Sequence, residues 1–315
     1  MLAILVLVAC CRPDDATTIL GNVPQKIENP TNADKIELGR RLFFDQQLSS
    51  DQSISCASCH IPELAFTDQK ALSDGVKGRK SMRNAPSLLN VAYQKTLMFD
   101  GHITSLEEQA IVPIQDHFEM DMKMGEVVKR LRKNLYYQKA AQRIFKRDFD
   151  AFVLTRSLAV YERSLVSYDS DFDRYYYGKV DDAINASAKR GWKLFSEVLY
   201  CTKCHVPPHF TNFAVANNGY FTDGSADQGR FRIHLDSSDI GKFKVPSLRN
   251  VAITFPYMHD GKLKSFEEVL KNYESGGKGS RNQSALINKF TLTSKERNDL
   301  IAFLNTLTDS KFKEK

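Results

Sequence analysis

The pentapeptide Cys-x-x-Cys-His occurs twice in this chain of 315 residues, and both copies stand in the same sequence frame. The copies are Cys56–His60 and Cys201–His205. A Gly-x-x-Leu-Phe segment precedes each copy, and Pro-Ser-Leu-x-Asn-Val-Ala, Asp-Gly and Ser-x-Glu-Glu segments follow in the same order. In both halves the proline precedes the Asp-Gly pair by 14 positions. Such self-similarity predicts two related domains, each built around one motif.

Cys-x-x-Cys-His is the attachment signature of c-type haem, in which two thiols bond the porphyrin and the histidine ligates the iron. A zinc site made from both cysteine pairs and a redox dithiol are the alternatives. The pairs lie far apart in the sequence and a histidine follows each, which favours two covalent haems. The attachment residues are then Cys56, Cys59, Cys201 and Cys204, and the proximal iron ligands are His60 and His205.

Composition excludes several classes of protein. The chain is 42% hydrophobic and 26% charged, which is typical of folded globular proteins rather than disordered, collagen-like or polytopic membrane proteins. The net charge of +6 is spread along the chain, so we expect no nucleic-acid partner.

The first residues resemble a bacterial lipoprotein signal. Met1–Ala9 is apolar and precedes Cys10, the residue that would carry the lipid. The segment is too short to span a membrane and lacks the usual basic start, so a wrongly placed start codon is the alternative. The lipoprotein interpretation predicts a periplasmic protein anchored to a membrane, with residues 1–22 as signal and tether.

The remaining sequence predicts a mainly α fold with long loops, consisting of two cytochrome c-like haem domains that arose by internal duplication. We place the N-terminal haem domain at residues 23–166 and the C-terminal one at residues 167–315. Apolar spacing indicates helical structure over Gly125–Phe149 and Phe152–Leu165. Thr293–Glu296 has the pattern of a capping box before a last helix.

From about Ile36 to Leu307 the chain resembles the bacterial di-haem cytochrome c peroxidases, a family that includes the MauG-type oxidases. Specific motifs carry the resemblance, namely Leu42–Asp45, Arg83–Pro86, Asp100–Gly101, Leu106–Ala110, Glu119–Met120 and Pro256–Gly261. The resemblance implies a peroxidatic N-terminal haem and an electron-transferring C-terminal haem. It also implies hydrogen peroxide as substrate, a small cytochrome c or cupredoxin as electron donor, and a possible homodimer.

The resemblance assigns Gln109 and Glu119 to the peroxide side of the first haem. A carboxyl group with a raised pKa can carry a proton between the two peroxide oxygens, and an amide can orient peroxide. Many family members place a distal histidine before the Arg83–Pro86 motif, where this chain has Val76. The first haem is therefore expected to be open in its ferric state.

At the second haem two residues compete for the sixth coordination position. Tyr273 matches the tyrosine ligand of the MauG-type enzymes, and it lies 13 residues after Asp260. The equivalent residue of the first half is Pro113, which cannot ligate iron. Met258 is the rival ligand, but it discriminates poorly because its counterpart, Met98, is also methionine. Both alternatives stay open at this point.

The resemblance further implies calcium between the domains, bound by the Asn84 side chain and the carbonyl groups of Thr254 and Pro256. Two aromatic positions depart from the family. Phe99 replaces the tryptophan expected between the haems, and Leu199 replaces the surface tryptophan of the MauG-type enzymes.

Three functions follow from these observations. The first is a cytochrome c peroxidase that reduces hydrogen peroxide to water. The second is a MauG-like oxidase that modifies a partner protein, which Tyr273 and Val76 favour and which Phe99 and Leu199 disfavour. The third is a di-haem electron carrier without catalytic activity.

Overall fold

The computed structural model describes residues 16–313, and within this range the chain is mainly helical, which confirms the mainly α part of the predicted fold class. Among these described residues, strands are confined to one antiparallel pair, β1 (Val215–Ala216) and β2 (Phe243–Lys244). The helices are α1 Ala16–Leu20, α2 Ala33–Phe43, α3 Cys56–Cys59, α4 Leu106–Gln109, α5 Ile111–Gln115, α6 Met124–Leu131, α7 Leu135–Phe145, α8 Ala151–Arg163, α9 Asp171–Tyr176, α10 Ala186–Lys193, α11 Phe231–His234, α12 Phe266–Glu274 and α13 Ser294–Asn305.

Each half contains one close helix crossing. In the N-terminal half α2 crosses α8 at Gly39, where an added Cβ would lie 2.0 Å from the Ser157 carbonyl oxygen. In the C-terminal half α10 crosses α13 at Gly191, where a Cβ would lie 1.9 Å from the Asp299 carbonyl oxygen. Only glycine permits backbones to approach this closely, so the Gly-x-x-Leu-Phe segment positions the same crossing twice.

Two separate hydrophobic cores accompany these crossings. The N-terminal core forms around residues such as Phe43, Leu154 and Leu158. The C-terminal core is aromatic, and Phe172, Phe210 and Phe303 are fully buried at its centre. Trp192 packs into this second core against Phe172 and Phe303, with ring centroids 4.9 and 5.3 Å apart.

The two halves repeat several backbone hydrogen bonds. The Asn90 amide donates to Leu165 O at 2.8 Å, and the Asn250 amide donates to Leu307 O at 3.0 Å. Two further bonds cross between the halves: the Asn84 amide donates to His259 O at 2.9 Å and the Lys244 amide donates to Phe99 O at 2.6 Å. Residues 84 and 244 stand 160 positions apart, as do 99 and 259, so these two bonds are reciprocal.

The predicted anchor residue Cys10 lies outside the described residues. Part of the predicted tether is described, and it contains α1, whose Ile19 and Leu20 are buried against Tyr93. The Tyr93 hydroxyl group donates to Gly21 O at 3.0 Å, which fixes this segment on the protein body. No helix within residues 16–313 is long and apolar enough to cross a bilayer.

Candidate haem centres

The first Cys-x-x-Cys-His motif forms α3 and the residue that ends it. Ser55 and Ser58 close a capping box at the start of this helix, since the Ser58 hydroxyl group accepts from the Ser55 amide at 2.9 Å. His60 follows directly, and its Nδ1 lies 3.0 Å from Phe66 O. A carbonyl partner at Nδ1 leaves Nε2 as the ring nitrogen that can bind a metal.

A cavity opens in front of this motif. Its walls bring together residues that are distant in the sequence, namely Cys56, Cys59, His60, Gln109, Pro113, Glu119 and Glu162. Both predicted residues of the peroxide side therefore share one cavity with the predicted attachment residues and the proximal ligand.

The chemistry of the cavity fits a covalently attached haem. Its walls include apolar side chains such as Phe43, Leu88 and Leu158, which suit the face of a porphyrin. Burial raises the pKa of the Cys59 thiol to about 11, and it lowers the pKa of His60. The imidazole is therefore neutral near pH 7, which is the form that ligates iron.

Glu119 is held in the loop between α5 and α6. Burial, and to a smaller degree the nearby Asp116 carboxylate, raise the pKa of Glu119 to about 7. The amide of Val76, the residue at the distal histidine position, donates to Glu119 O at 2.9 Å. Gln109, at the end of α4, directs its Nε2 toward Met98 Sδ at 3.9 Å. A carboxyl group that titrates near neutral pH can both accept and return a proton.

Sequence reasoning missed Glu162, a second carboxyl group in the same cavity. Burial raises the pKa of Glu162 to about 8, and its Oε2 is buried without a hydrogen-bond partner among the described residues. The available signal was periodicity, because Glu162 follows Leu154 and Leu158 at four-residue steps on the buried face of α8.

The second motif, Cys201–His205, repeats the anchoring of the first. His205 Nδ1 lies 3.1 Å from Phe210 O and 3.2 Å from Pro246 O. Burial raises the pKa of Cys201 to about 12 and lowers the pKa of His205. The same neutral imidazole with a fixed Nδ1 is thus available to a second iron.

The two rival sixth ligands of this centre converge on one amide group. Asn218 Nδ2 lies 3.3 Å from Tyr273 Oη and 3.5 Å from Met258 Sδ. Burial raises the pKa of Tyr273 to about 12, and the hydrogen bond from Asn218 opposes this rise. The phenol oxygen and the thioether sulfur therefore lie close to the same amide, which keeps both as candidate ligands.

Charged side chains join the two halves. Asp100 is fully buried, and it accepts from Arg83 and Arg232 at 2.8 Å each. Arg83 also donates to both Asp227 carboxylate oxygens, at 2.7 and 2.8 Å. These bonds run from the N-terminal half to the long loop of the C-terminal half, and Phe99 is the residue next to Asp100 in the chain.

The proposed calcium ligands come from segments that the structure joins. The Asn84 side chain donates to Lys70 O at 2.8 Å, and Gln69 Nε2 donates to Ile253 O at 2.9 Å, next to Thr254. Within residues 16–313 no group of three His, Cys, Asp or Glu side chains could hold a metal, so a cation here would depend on amide and carbonyl oxygens.

Three comparisons relate this chain to known proteins. A family model described as di-haem cytochrome c peroxidase matches residues 33–181. A methylamine utilization protein MauG from Methylorubrum extorquens is 37% identical over 91% of this chain and 81% of its own length. The cytochrome c551 peroxidase of Nitrosomonas europaea is 32% identical over 90% of this chain and 83% of its own length.

Solved structures agree with this relationship. The crystal structure of a MauG-like protein associated with microbial copper homeostasis superposes with a TM-score of 0.86. It is 32% identical in sequence, and the match covers 93% of this chain and 96% of that protein. The diheme peroxidase BthA from Burkholderia thailandensis, at 24% identity and a TM-score of 0.78, shares the fold.

Proposed function

The chain belongs to the di-haem cytochrome c peroxidase family, and from this membership we propose that it reduces hydrogen peroxide to water with electrons from a small redox protein. The family implies two c-type haems, and the two Cys-x-x-Cys-His motifs are the residues that would hold them. One observation carries the proposal. The first of these motifs shares its cavity with Gln109 and with Glu119, whose pKa of about 7 suits proton transfer at neutral pH.

The chain's own residues have separate tasks in this reaction. When bound, haem supplies an iron that takes up peroxide and a store for electrons. The Gln109 amide orients the peroxide by hydrogen bonding. Glu119 accepts the proton of one peroxide oxygen and returns it to the other, which leaves as water. One turnover uses two electrons and two protons and yields two water molecules.

Turnover of hydrogen peroxide with a reduced small cytochrome c or cupredoxin tests this proposal. We expect multiple turnovers without prior partial reduction, because Val76 stands where other members carry a distal histidine. Two low-spin ferric haems that do not respond to cyanide, together with no turnover, would instead indicate the electron carrier.

A MauG-like oxidase is the second candidate function. The observation in its favour is Tyr273, which stands at the position of the MauG-type tyrosine ligand, together with the 37% identity to a MauG protein. Phe99 and Leu199, where tryptophans are expected, weigh against a long oxidising route through the protein. Mass spectrometry of partner proteins that co-purify, before and after peroxide, would reveal the covalent change that this function requires.

Several wider features belong to the same proposal. Internal duplication, with a domain boundary after residue 166, accounts for the repeated helix crossings and hydrogen bonds. We also propose calcium at Asn84, Thr254 and Pro256, periplasmic location with a lipid on Cys10, and a homodimer. Mass measurement of the mature protein and its metal content test the lipid and the calcium directly.

A further inference from the structure

We propose that Asn218 is a positioning residue that selects the Tyr273 oxygen over the Met258 sulfur as sixth ligand of the second haem iron. The inference rests on the proposed function, since it concerns the electron-transferring centre of that enzyme. The geometry behind it is the shared amide nitrogen, 3.3 Å from Tyr273 Oη and 3.5 Å from Met258 Sδ.

The orientation of the Asn218 amide is fixed by its other end. Asn218 Oδ1 accepts from the Tyr220 amide at 3.2 Å, so the oxygen faces the backbone and the nitrogen faces the two candidate ligands. The side chain therefore presents donors, not an acceptor, to the ligand position.

Hydrogen bonds of Asn217 and a glycine contact at Gly219 hold the backbone on both sides of Asn218. Asn217 Oδ1 accepts from the Gly219 amide at 2.9 Å, and Asn217 Nδ2 donates to Arg281 O at 3.0 Å. Gly219 has a φ of +79°, and a Cβ there would lie 2.7 Å from the Gly277 Cα. Gly277 follows α12, the helix that carries Tyr273, so this glycine contact sets the distance between the amide and the phenol.

The amide donor stabilises the two candidate ligands to different degrees. A hydrogen bond to an oxygen that bears charge is strong, whereas thioether sulfur is a weak acceptor without charge. A phenol oxygen bound to iron carries negative charge, so the Asn218 donor stabilises it. The same donor contributes little to a bound Met258 sulfur. Asn218 therefore shifts the choice of ligand toward tyrosine.

The N-terminal half supports this assignment by contrast. Gln109 Nε2 lies 3.9 Å from Met98 Sδ, so an amide also faces the equivalent methionine there. Pro113 occupies the tyrosine position in that half, and no phenol oxygen can benefit from the amide. An amide beside methionine is thus common to both halves, and an amide shared with a phenol occurs at the second centre.

The test compares ferric holoproteins of full length by resonance Raman spectroscopy, which reports phenolate ligated to iron, and by redox titration. Asn218→Leu removes the donor, and Asn218→Asp keeps the shape but offers only acceptors. We expect either variant to lower the ratio of tyrosine to methionine ligation about ten-fold or more, the range expected for one hydrogen bond to a charged group. The reduction potential of the second haem rises accordingly.

Two further variants make the result decisive. Combining Asn218→Leu with Met258→Leu removes the rival ligand and is expected to restore tyrosine ligation. Asn288→Leu, at an exposed amide that donates only to Ala285 O nearby, is the matched control and leaves both readouts unchanged. Holoprotein with both haems attached and a native circular dichroism spectrum excludes misfolding.

The outcomes separate this inference from the proposed function. Tyrosine ligation that stays within two-fold in both Asn218 variants, but disappears in Tyr273→Phe, overturns the role of Asn218 alone. A ferric spectrum unchanged in Tyr273→Phe overturns the tyrosine ligand and the inference with it. Absence of peroxide turnover in the wild-type protein counts against the proposed peroxidase, whatever the ligand ratio shows.

Discussion

The N-terminal and C-terminal halves place their motif histidines alike but surround them differently. In both halves histidine Nδ1 is held by a backbone carbonyl group five or six residues later. Thirteen residues after the Asp-Gly aspartate, however, stands Pro113 in one half and Tyr273 in the other. A proline leaves its centre without a protein ligand at that position, whereas a tyrosine offers one.

A second difference concerns the helices that cross next to each centre. At the crossings, Tyr161 and Phe303 are equivalent, because each side chain lies beside the matching glycine. The residues that follow them are Glu162 and Leu304, both buried. The N-terminal half thus keeps a carboxyl group where the C-terminal half is apolar. The two halves therefore share the histidine contact and the helix crossing, and they differ in a few buried side chains.

The largest effect is expected from removing Glu119, the proposed proton carrier of the N-terminal half. Glu119→Gln keeps the size of the side chain but cannot transfer a proton, so peroxide turnover should fall by about 10² to 10⁴-fold. Steady-state turnover with a reduced donor measures it. Glu108→Gln, at an exposed carboxyl group on α4, is the matched control and retains turnover. Turnover of Glu119→Gln within three-fold of wild type would remove Glu119 from the reaction.

The next effect tests what the halves share. Gly39→Ala and Gly191→Ala each force a Cβ against a backbone carbonyl group and should each lower the free energy of unfolding by about 3 kcal/mol or prevent folding. Gly125→Ala is the control, since a Cβ there meets nothing within 4 Å. Thermal unfolding followed by circular dichroism measures all three. A large loss for one crossing glycine and none for the other would break the structural equivalence.

A smaller effect is expected when the side chains of the equivalent residues Glu162 and Leu304 are exchanged between the halves. The pKa of Glu162 is raised to about 8 from an ordinary 4.5, so between these values the folded protein holds a proton that the unfolded chain releases. Its contribution to stability is therefore present at acid pH and is lost as pH rises toward 8. Glu162→Leu should remove about 2 kcal/mol of this pH-dependent loss.

Denaturant unfolding at pH 5.5 and pH 8 measures the difference. Leu304→Glu is the reciprocal variant, and it should make stability fall with rising pH more steeply than in the wild-type protein. An unchanged pH dependence in Glu162→Leu would mean that this carboxyl group is not protonated in the folded protein.

The smallest effect concerns helix caps that match in both halves. Asn32 Oδ1 accepts from the Lys35 amide and Asn185 Oδ1 from the Ala188 amide, both at 2.9 Å. Asn32→Ala and Asn185→Ala should each cost about 1 kcal/mol of stability. Asn32→Asp and Asn185→Asp keep the cap oxygen and should be nearly neutral. Unequal losses in the alanine variants would show that one crossing depends more on its cap.

Local patterns predicted much of this fold from the sequence. The capping box at Thr293–Glu296 is confirmed, because both of its hydrogen bonds are present at the start of α13. Helical spacing placed helices over 125–149 correctly, but the structure divides this region into α6 and α7. The division falls at Asn134, whose side chain accepts from the Tyr136 amide and begins a new helix. The spacing of apolar residues does not predict such a cap, because the capping residue is polar.

Long-range contacts explain what the sequence did not reveal. Glu119 and Gln109 came from the family resemblance, and nothing in their local sequence brings them into one cavity. Asn218 lies in a segment whose sequence is typical of a loop. Its proximity to Tyr273 depends on the contact between Gly219 and Gly277, which are far apart in the sequence. His209 packs between the rings of Tyr93 and Phe213, which its local sequence does not indicate. Each of these placements is set by chain segments far away in sequence.

The reciprocal hydrogen bonds of residues 84 and 244 to residues 259 and 99 have the form of an isologous contact between two copies of one subunit. In a homodimer a single mutation alters both sites at once, so selection acts only on the combined effect of the mutation at the two sites. Within one chain each site mutates alone. A proline at one centre and a tyrosine at the other can then coexist. Because one chain carries both centres, they are always present in a one-to-one ratio.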